Sequence, residues 1–433
     1  MNFILPPSDL TSRDIAMFSD IQNLWGDAAY VNFQNRLRPH KLLSSLVLRV
    51  FAAGIKTGPT RFMCIAIVIF LHPHLRAFSR GADVLFYGPS KNNDRILQRV
   101  STLLQDAPLR QYHASERAPL STRLSAALRF GKLRALTRAL SPYNGSGTFL
   151  ATQLILTAAA RLYFETSLTG ARAQVVILAN DHSPMQVGLR DAAYACNLRC
   201  VYCQHAPISP LYPRLKFDLS ILSDQASLAT YQKRGPITGE TVFLSPFRSK
   251  PTPFTPVHQI VTVGMCLSRV PARDKVINRL KELCSHSTVI KIMLRGHPQD
   301  SAKLKDFAAI DPRITVTCPN SDIVSFAQAC DLVVVSGSGV LIELLHSGVA
   351  CVYAGDLDQL GHDPHNFVAS GLVPDFSHQS LVTLTAEITA FFDVSWRRAF
   401  SNFDATATAA PSTLKQSTRA AVIKLLNLSD PNQ

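Results

Sequence analysis

The chain has 433 residues, 47% of them hydrophobic, and a formal net charge of +14. That is enough apolar material for two domains, and it excludes low-complexity, fibrous and disordered classes. Nine cysteines at irregular spacing, after a start (Met1-Asn-Phe-Ile-Leu-Pro-Pro) with no basic leader region, point to a reducing cytoplasm and plain buried thiols. Residues 1–150 hold 19 Lys and Arg against 8 Asp and Glu, so the basic part is the first third, which favours an anionic partner. No arginine-aromatic RNA motif, zinc finger or helix-turn-helix signature accompanies it, and nucleic acid is not the expected partner.

In chain order, the first strong element is the apolar run Phe62–Leu71 (FMCIAIVIFL). At about 1.5 Å per residue it is too short to span a bilayer core of about 30 Å. Its flanks carry Arg49, Lys56, Arg61, Arg76 and Arg80. It therefore reads as a buried core helix or as a helix lying in a membrane interface against anionic headgroups, the core helix being the commoner case. Asp83–Tyr87 predicts a strand. Arg123–Leu140 predicts a second basic, leucine-rich helix with its charges spread around the circumference.

Past residue 150 strand and helix patterns alternate, the sign of a parallel sheet with crossovers. Ala173–Ala179 predicts a buried strand, Pro184–Tyr194 a helix with Pro in its first turn, and Cys200–His205 the next strand. Phe217–Leu222 and Thr241–Leu244 continue the series, with a helix at Gln225–Lys233 ended by Gly235. Pro246–Pro256 then places four prolines in eleven residues, an extended, stiff linker. Beyond it the expected strands are His258–Met265, Thr288–Leu294, Arg313–Thr317, Asp331–Val335 and Val349–Tyr353. The intervening helices are Arg273–Cys284, Asp300–Ala309, Ser321–Cys330 and Gly339–Ser347, and a last helix, Ser412–Leu426, packs across one of the two domains. The expected fold class is α/β, with two Rossmann-like doubly wound domains facing across a cleft: residues 1–245, a linker at 246–257, residues 258–395, and a C-terminal tail and helix at 396–433.

Open α/β sheets bind ligands beyond the carboxyl ends of their strands. In the second domain those ends carry Gly264, Ser268 and Arg269, then Arg295, Gly296, His297 and Pro298, then Ser336, Gly337, Ser338 and Gly339. Each offers small, hydroxyl or basic groups, and backbone N–H groups at a helix start favour an anion. Glu343, one turn into the helix, is placed to accept from a ribose or ribitol hydroxyl, or else to complement the helix dipole.

The motif Arg295-Gly-His-Pro298 followed by Ser336-Gly-Ser-Gly-Val-Leu-Ile-Glu-Leu344 resembles the donor half of bacterial surface-polysaccharide glycosyltransferases of the GT-B fold. In sialyltransferases, capsule Kdo transferases and teichoic-acid glycerophosphotransferases, a His-Pro motif and a later Ser/Thr pair hold the CMP or CDP part of the donor. The resemblance covers the second domain well and the first only loosely, through Asp181-His-Ser-Pro184 and Val201-Tyr-Cys-Gln-His205. Here Ala206-Pro207 stands where a glycine usually follows Gln-His. The resemblance implies a nucleotide-sugar donor, a CMP-linked acidic sugar foremost, and a surface-glycan or lipid-linked glycan acceptor of the capsule or lipopolysaccharide kind. It implies no cofactor and no metal; the cysteines point to the cytoplasm, and the basic, apolar first third to the inner face of the membrane.

Glycosyl transfer needs a base on the opposite wall. Asp181 and His182 come first and His205 next, although Asp181 equally suits capping the helix from Pro184. One competing motif is Cys196-Asn-Leu-Arg-Cys200-Val-Tyr-Cys203, whose spacing resembles that of radical S-adenosylmethionine enzymes. A cluster there needs the three thiolates to converge in a loop, whereas Cys200 and Cys203 on a strand point to opposite faces. A catalytically silent sugar-nucleotide-binding subunit and a nucleotide-sugar epimerase are the other readings open to this fold.

Overall fold

The computed structural model describes residues 17, 18, 21, 57–143, 148–254, 257–297, 304–318, 321–359, 361, 363–377, 379, 387–392 and 394–427. Arg49, Lys56, Pro298 and the first residues of the helix expected from Asp300 lie outside them.

The first domain opens with helix α1 (Gly58–Leu71), strand β1 (Val84–Tyr87), α2 (Lys91–Leu103) and β2 (Gln111–His113). It continues with α3 (Leu120–Ala127), α4 (Phe130–Ala139), α5 (Thr148–Leu168), β3 (Val175–Leu178), α6 (Pro184–Ala195) and β4 (Arg199–Cys203). β5 (Lys216–Leu222), α7 (Gln225–Arg234) and β6 (Thr238–Phe243) complete it. Its six strands are all parallel, in the order β2-β1-β3-β4-β5-β6. β1 and β3 are buried along their whole length, which is why they read as unbroken apolar runs rather than alternating ones. Ser90 caps α2 by accepting from the Asn93 N–H, and Asp224 caps α7 by accepting from the Ser227 N–H. Gly235, at φ 138°, ends α7 in a conformation other residues avoid.

The second domain holds β7 (Thr262–Cys266), α8 (Arg273–Ser285), β8 (Lys291–Arg295), α9 (Lys305–Ala308) and β9 (Ile314–Thr317). α10 (Ile323–Gln328), β10 (Leu332–Val335), α11 (Val340–His346), β11 (Ala350–Tyr353) and α12 (Val394–Ser401) follow. Its five parallel strands run β11-β10-β7-β8-β9. Counted from its own first strand this is the order 3-2-1-4-5 of a dinucleotide-binding fold, whereas the first sheet follows the flavodoxin-like order 2-1-3-4-5 with one strand added. The chain is thus α/β with two parallel, doubly wound sheets, a GT-B-like arrangement.

The helix expected over Arg123–Leu140 is two helices, α3 and α4, separated at Leu128 and Arg129. The break lets each half engage a different end of α1. Buried Arg123 donates to the Ile69 and Phe70 carbonyls at the C-terminus of α1, and Arg61 near its start donates to the Thr137 carbonyl at 2.7 Å. α1 itself buries Cys64, Ile65, Val68 and Ile69 in the first core, so the apolar run is a core helix with one face left outside. Among the described residues no helix is long and apolar enough to cross a membrane.

The final helix α13 (Pro411–Leu425) returns to the first domain. Ala421, Val422, Ile423 and Leu426 join Ile96, Leu97 and Val100 of α2 over one face of the first sheet. Its Thr418 hydroxyl donates to the Phe243 carbonyl at 3.2 Å, and Arg419 donates to the Leu103 carbonyl at 2.6 Å. The proline-rich segment is strapped down as well. Phe247 stacks on His346 at 3.8 Å, the His346 Nδ1–H donates to Asp404 at 2.6 Å, and the Ser245 hydroxyl donates to Asp404 at 3.2 Å.

Candidate functional site

The order of each sheet reverses once: between β1 and β3 in the first domain and between β7 and β10 in the second. At these switch points neighbouring crossovers leave on opposite faces and open a crevice beyond the strand ends. In the first domain the crevice lies beyond Tyr87 and Leu178, and in the second beyond Cys266 and Val335.

On the first wall the chain leaves β3 through Asn180-Asp181-His182. Asn180 closes a tight turn, its Oδ1 accepting from the backbone N–H groups of His182 at 2.9 Å and Ser183 at 2.7 Å, while α6 starts after Ser183 with no side-chain cap. Asp181 does not take the capping role that its position allows. Its carboxylate is 1% exposed, accepts from the Tyr231 hydroxyl at 2.6 Å and holds the His182 Nδ1–H at 2.8 Å. The His182 ring lies 4.1 Å from that of Tyr212. With Nδ1 donating to Asp181, Nε2 is the acceptor nitrogen of His182, 3.4 Å from the Asn180 side-chain amide.

His205 follows β4 beside this pair. Burial, with added repulsion from His182, holds its pKa down to about 4, and Asp181 and a hydrogen bond to Ala179 only partly offset this. It is therefore neutral near pH 7 and a weak base. Gln204 ties the strand ends together, its amide N–H donating to Ser227 at 2.8 Å and its carbonyl accepting from the Ser223 N–H at 2.9 Å. Asp224, fully buried at the start of α7, is pushed up to about 6 by that burial.

On the second wall the turn after β10 is the most constrained part. Ser336 is fully buried, and its hydroxyl has no hydrogen-bond partner, a deficit that native interiors seldom tolerate without use. Gly337 sits at φ 49°, and a Cβ there would lie 2.5 Å from the Asp358 carboxylate, so only glycine fits. Its N–H donates to the Tyr353 hydroxyl at 3.2 Å. Ser338 accepts from the Val340 N–H at 3.4 Å. A Cβ on Gly339 would meet Pro207 of the first domain at 2.9 Å, so the two domains touch here, through the Ala206-Pro207 pair that stands where the resembled motif has glycine.

The remaining second-domain residues divide. Ser268, 5% exposed, lies at the β7 end with its hydroxyl accepting from the Val270 N–H at 3.2 Å, and its Cβ is also close to the Gly337 turn. Arg269 follows it, half-buried. Gly264 is not past the strand end but inside β7, where a Cβ would strike Cys330 Sγ at 2.8 Å; it is a packing glycine remote from the crevice. Arg295 is occupied by Ser321, donating to its hydroxyl and its carbonyl at 2.8 Å each, and lies over the Phe326 ring. A Cβ on Gly296 would lie 2.5 Å from Leu304, and His297 beyond it is half-buried. Glu343 projects from α11. Desolvation raises its carboxyl, while Arg95 of the first domain and Arg295 pull it down. Farther along the domain junction a cavity of about 470 Å³ runs from Pro207 and Ile342 to Asp224, Lys233 and His365.

Sequence reasoning missed Tyr231, whose hydroxyl completes the Asp181 site from a helix 50 residues on, and Asp358, whose carboxylate abuts the Gly337 turn. It also missed Arg95 on α2, facing Glu343. None carries a motif, although the Ala354-Gly-Asp run just past a buried strand was a usable signal for the strand-end acids near Asp358. The cysteine motif does not assemble. Cys200 lies in the core on one side of the first sheet and Cys203 in the core on the other, and Cys196 sits past the end of α6. Burial raises all three thiols, the opposite of what thiolate ligands need. Among the described residues no group of three His, Cys, Asp or Glu side chains is placed to hold a metal ion.

No family model matches the sequence, and comparison with curated proteins finds no match. Solved structures do match. The UDP-N-acetylglucosamine 2-epimerase from Rickettsia bellii is similar at 10% identity over 79% of this chain and 96% of that chain, with a TM-score of 0.50. The likeness shows the fold alone. The UDP-GlcNAc 2-epimerase from Neisseria meningitidis, bound to UDP-GlcNAc, is similar at 11% identity over 79% and 98%, TM-score 0.44. MurG of Acinetobacter baumannii is similar at 12% identity over 79% and 98%, TM-score 0.40.

Proposed function

We propose that this protein is a glycosyltransferase that moves a sugar from a nucleotide-sugar donor to a surface-polysaccharide or lipid-linked glycan acceptor, working at the inner face of the cell membrane. What supports the reading is a strand-end site at the switch point of each sheet, an oriented Asp181–His182 pair after β3 and a turn with a buried, unpartnered Ser336 hydroxyl after β10, with Pro207 against Gly339 where the domains meet. Residues 1–245 form the acceptor side and 258–395 the donor side, joined by 246–257.

On this reading Ser336, Ser338 and the N–H groups around Gly337 and Gly339 take the donor phosphates, and Ser268, Arg269 and Arg295 flank them. His297 and Pro298 supply the His-Pro element, with His297 donating to a phosphate or sugar oxygen as the leaving nucleotide gains charge. Glu343 suits a ribose or ribitol hydroxyl, which a carboxylate can accept from. Asp181 orients His182, and His182 Nε2 takes the acceptor hydroxyl's proton. The acceptor oxygen then bonds to the anomeric carbon as the bond to the donor phosphate breaks and the nucleotide leaves with the electron pair. A CMP-linked acidic sugar is the favoured donor by the motif resemblance, with CDP and UDP the competing nucleotides.

A thermal-shift panel of CMP, CDP, UDP, GDP and their sugars tests the reading. Stabilisation by one nucleotide names the donor class, and no response to any overturns it. A nucleotide-sugar epimerase, the alternative that the same fold serves, would convert the stabilising sugar nucleotide without an acceptor. A silent binding subunit would be stabilised but turn nothing over.

A further inference from the structure

Seven of the ten large exposed hydrophobic side chains among the described residues lie on three neighbouring helices of the first domain. Met63, Ile67 and Leu71 follow one another at four-residue spacing on α1, and Leu120, Leu124 and Leu128 do the same at α3, so each set forms one stripe. Phe130 opens α4 and stacks on Phe62 of α1 at 5.9 Å. The exposure of the seven runs from 38% to 74%, and α3 and α4 both pack against α1, so the stripes lie on adjoining helices. Exposed apolar side chains gathered in one region of a surface mark an interaction site.

Its charge surroundings select the partner. α1, α3 and α4 and the turn between the last two contain Arg61, Arg123, Arg129, Lys132, Arg134 and Arg138 and no Asp or Glu. Arg61 and Arg123 are buried in helix contacts, and Arg129 and Lys132 neutralise the buried Glu165 behind the patch. Arg134 and Arg138 are exposed on α4. An apolar face with cations at its margin and no carboxylate on its helices matches an anionic lipid surface, where side chains such as Leu and Phe enter the acyl boundary and Arg meets headgroup phosphates.

We infer that this face docks the protein on an anionic membrane leaflet, in the plane of the interface. The inference supplies the membrane contact that the transferase reading assumes, but it is argued from the exposed helices alone and its test needs neither donor nor acceptor. It deepens that reading by giving a lipid-linked acceptor a side from which to approach.

The test is flotation of the full chain with vesicles of phosphatidylethanolamine and phosphatidylglycerol against vesicles of phosphatidylcholine. The wild type should bind the anionic vesicles at least about tenfold more strongly, and the preference should fall as salt rises. L124D/F130D and R134E/R138E should each lose about tenfold in binding with nucleotide-induced shifts unchanged, and R134E/R138E should also leave the unfolding midpoint unchanged because its side chains are exposed. If L124D/F130D does not fold, R134E/R138E carries the test. Absence of wild-type binding, equal binding to both vesicle types, or binding unchanged in the variants overturns the inference. A dimer that L124D/F130D converts to monomer, with vesicle binding intact, overturns it in favour of a second copy on this face.

Discussion

At the level of single residues, what distinguishes Asp181 from an ordinary helix cap is that it caps nothing: α6 starts at Pro184 after Ser183 with no side-chain cap. The carboxylate is left for Tyr231 and His182. H182A and D181N should each lower glycosyl transfer by roughly 10²- to 10⁴-fold while leaving the nucleotide-induced thermal shift in place; single-turnover assays beside thermal shifts check this. Ser336 gives the opposite signature. A buried hydroxyl without a partner costs about 1–3 kcal/mol, so S336A should raise the stability of the unliganded protein by about 1 kcal/mol and weaken the response to nucleotide. A purely structural serine would show neither change together. His205 predicts a pH effect. Its pKa in the folded chain, about 4, lies below its ordinary 6.5, so the unfolded chain binds the proton first. Its contribution is complete above pH 6.5 and is lost as pH falls toward about 4, by on the order of 3 kcal/mol. Urea denaturation across that window should show a shallower loss for H205Q.

At the level of elements, the strand-to-helix turns carry the site because parallel strands end together at one edge and their crossovers must diverge there. The Ser336–Gly339 turn was legible in the sequence: a buried four-residue strand, a small-residue turn and an apolar helix leave little choice of conformation. G337A should cost about 1–3 kcal/mol, since it forces a Cβ against Asp358 at a positive φ, and should abolish the nucleotide-induced shift. Chemical denaturation with and without nucleotide separates the two effects. Gly264 was misplaced because a glycine near a strand end looks the same whether it frees a ligand or, as here, makes room for Cys330. The single helix expected over Arg123–Leu140 divides because Arg123 and the Thr137 carbonyl bind opposite ends of α1, a tertiary contact that no helical periodicity encodes.

At the level of the whole molecule, the two domains are fastened by the strapped linker, by Pro207 against Gly339 and by α13, which leaves the second domain to cover the first sheet. Truncation after Ala410 would uncover the face closed by Val422, Ile423 and Leu426. At about 1.5–3 kcal/mol per buried aliphatic side chain, the first domain should lose on the order of 5 kcal/mol and unfold in a separate, earlier urea transition. The sequence by itself determined the alternation of buried parallel strands and helices, the proline-rich break between two sheets and the strand ends that form the candidate site, because these depend on patterns within a few turns of chain. Only the tertiary structure decided which residues face one another. Tyr231 reaches Asp181, Pro207 reaches Gly339 and Cys200 turns away from Cys203 because strand order and helix packing, set by the burial of whole faces, bring distant segments together or part near ones.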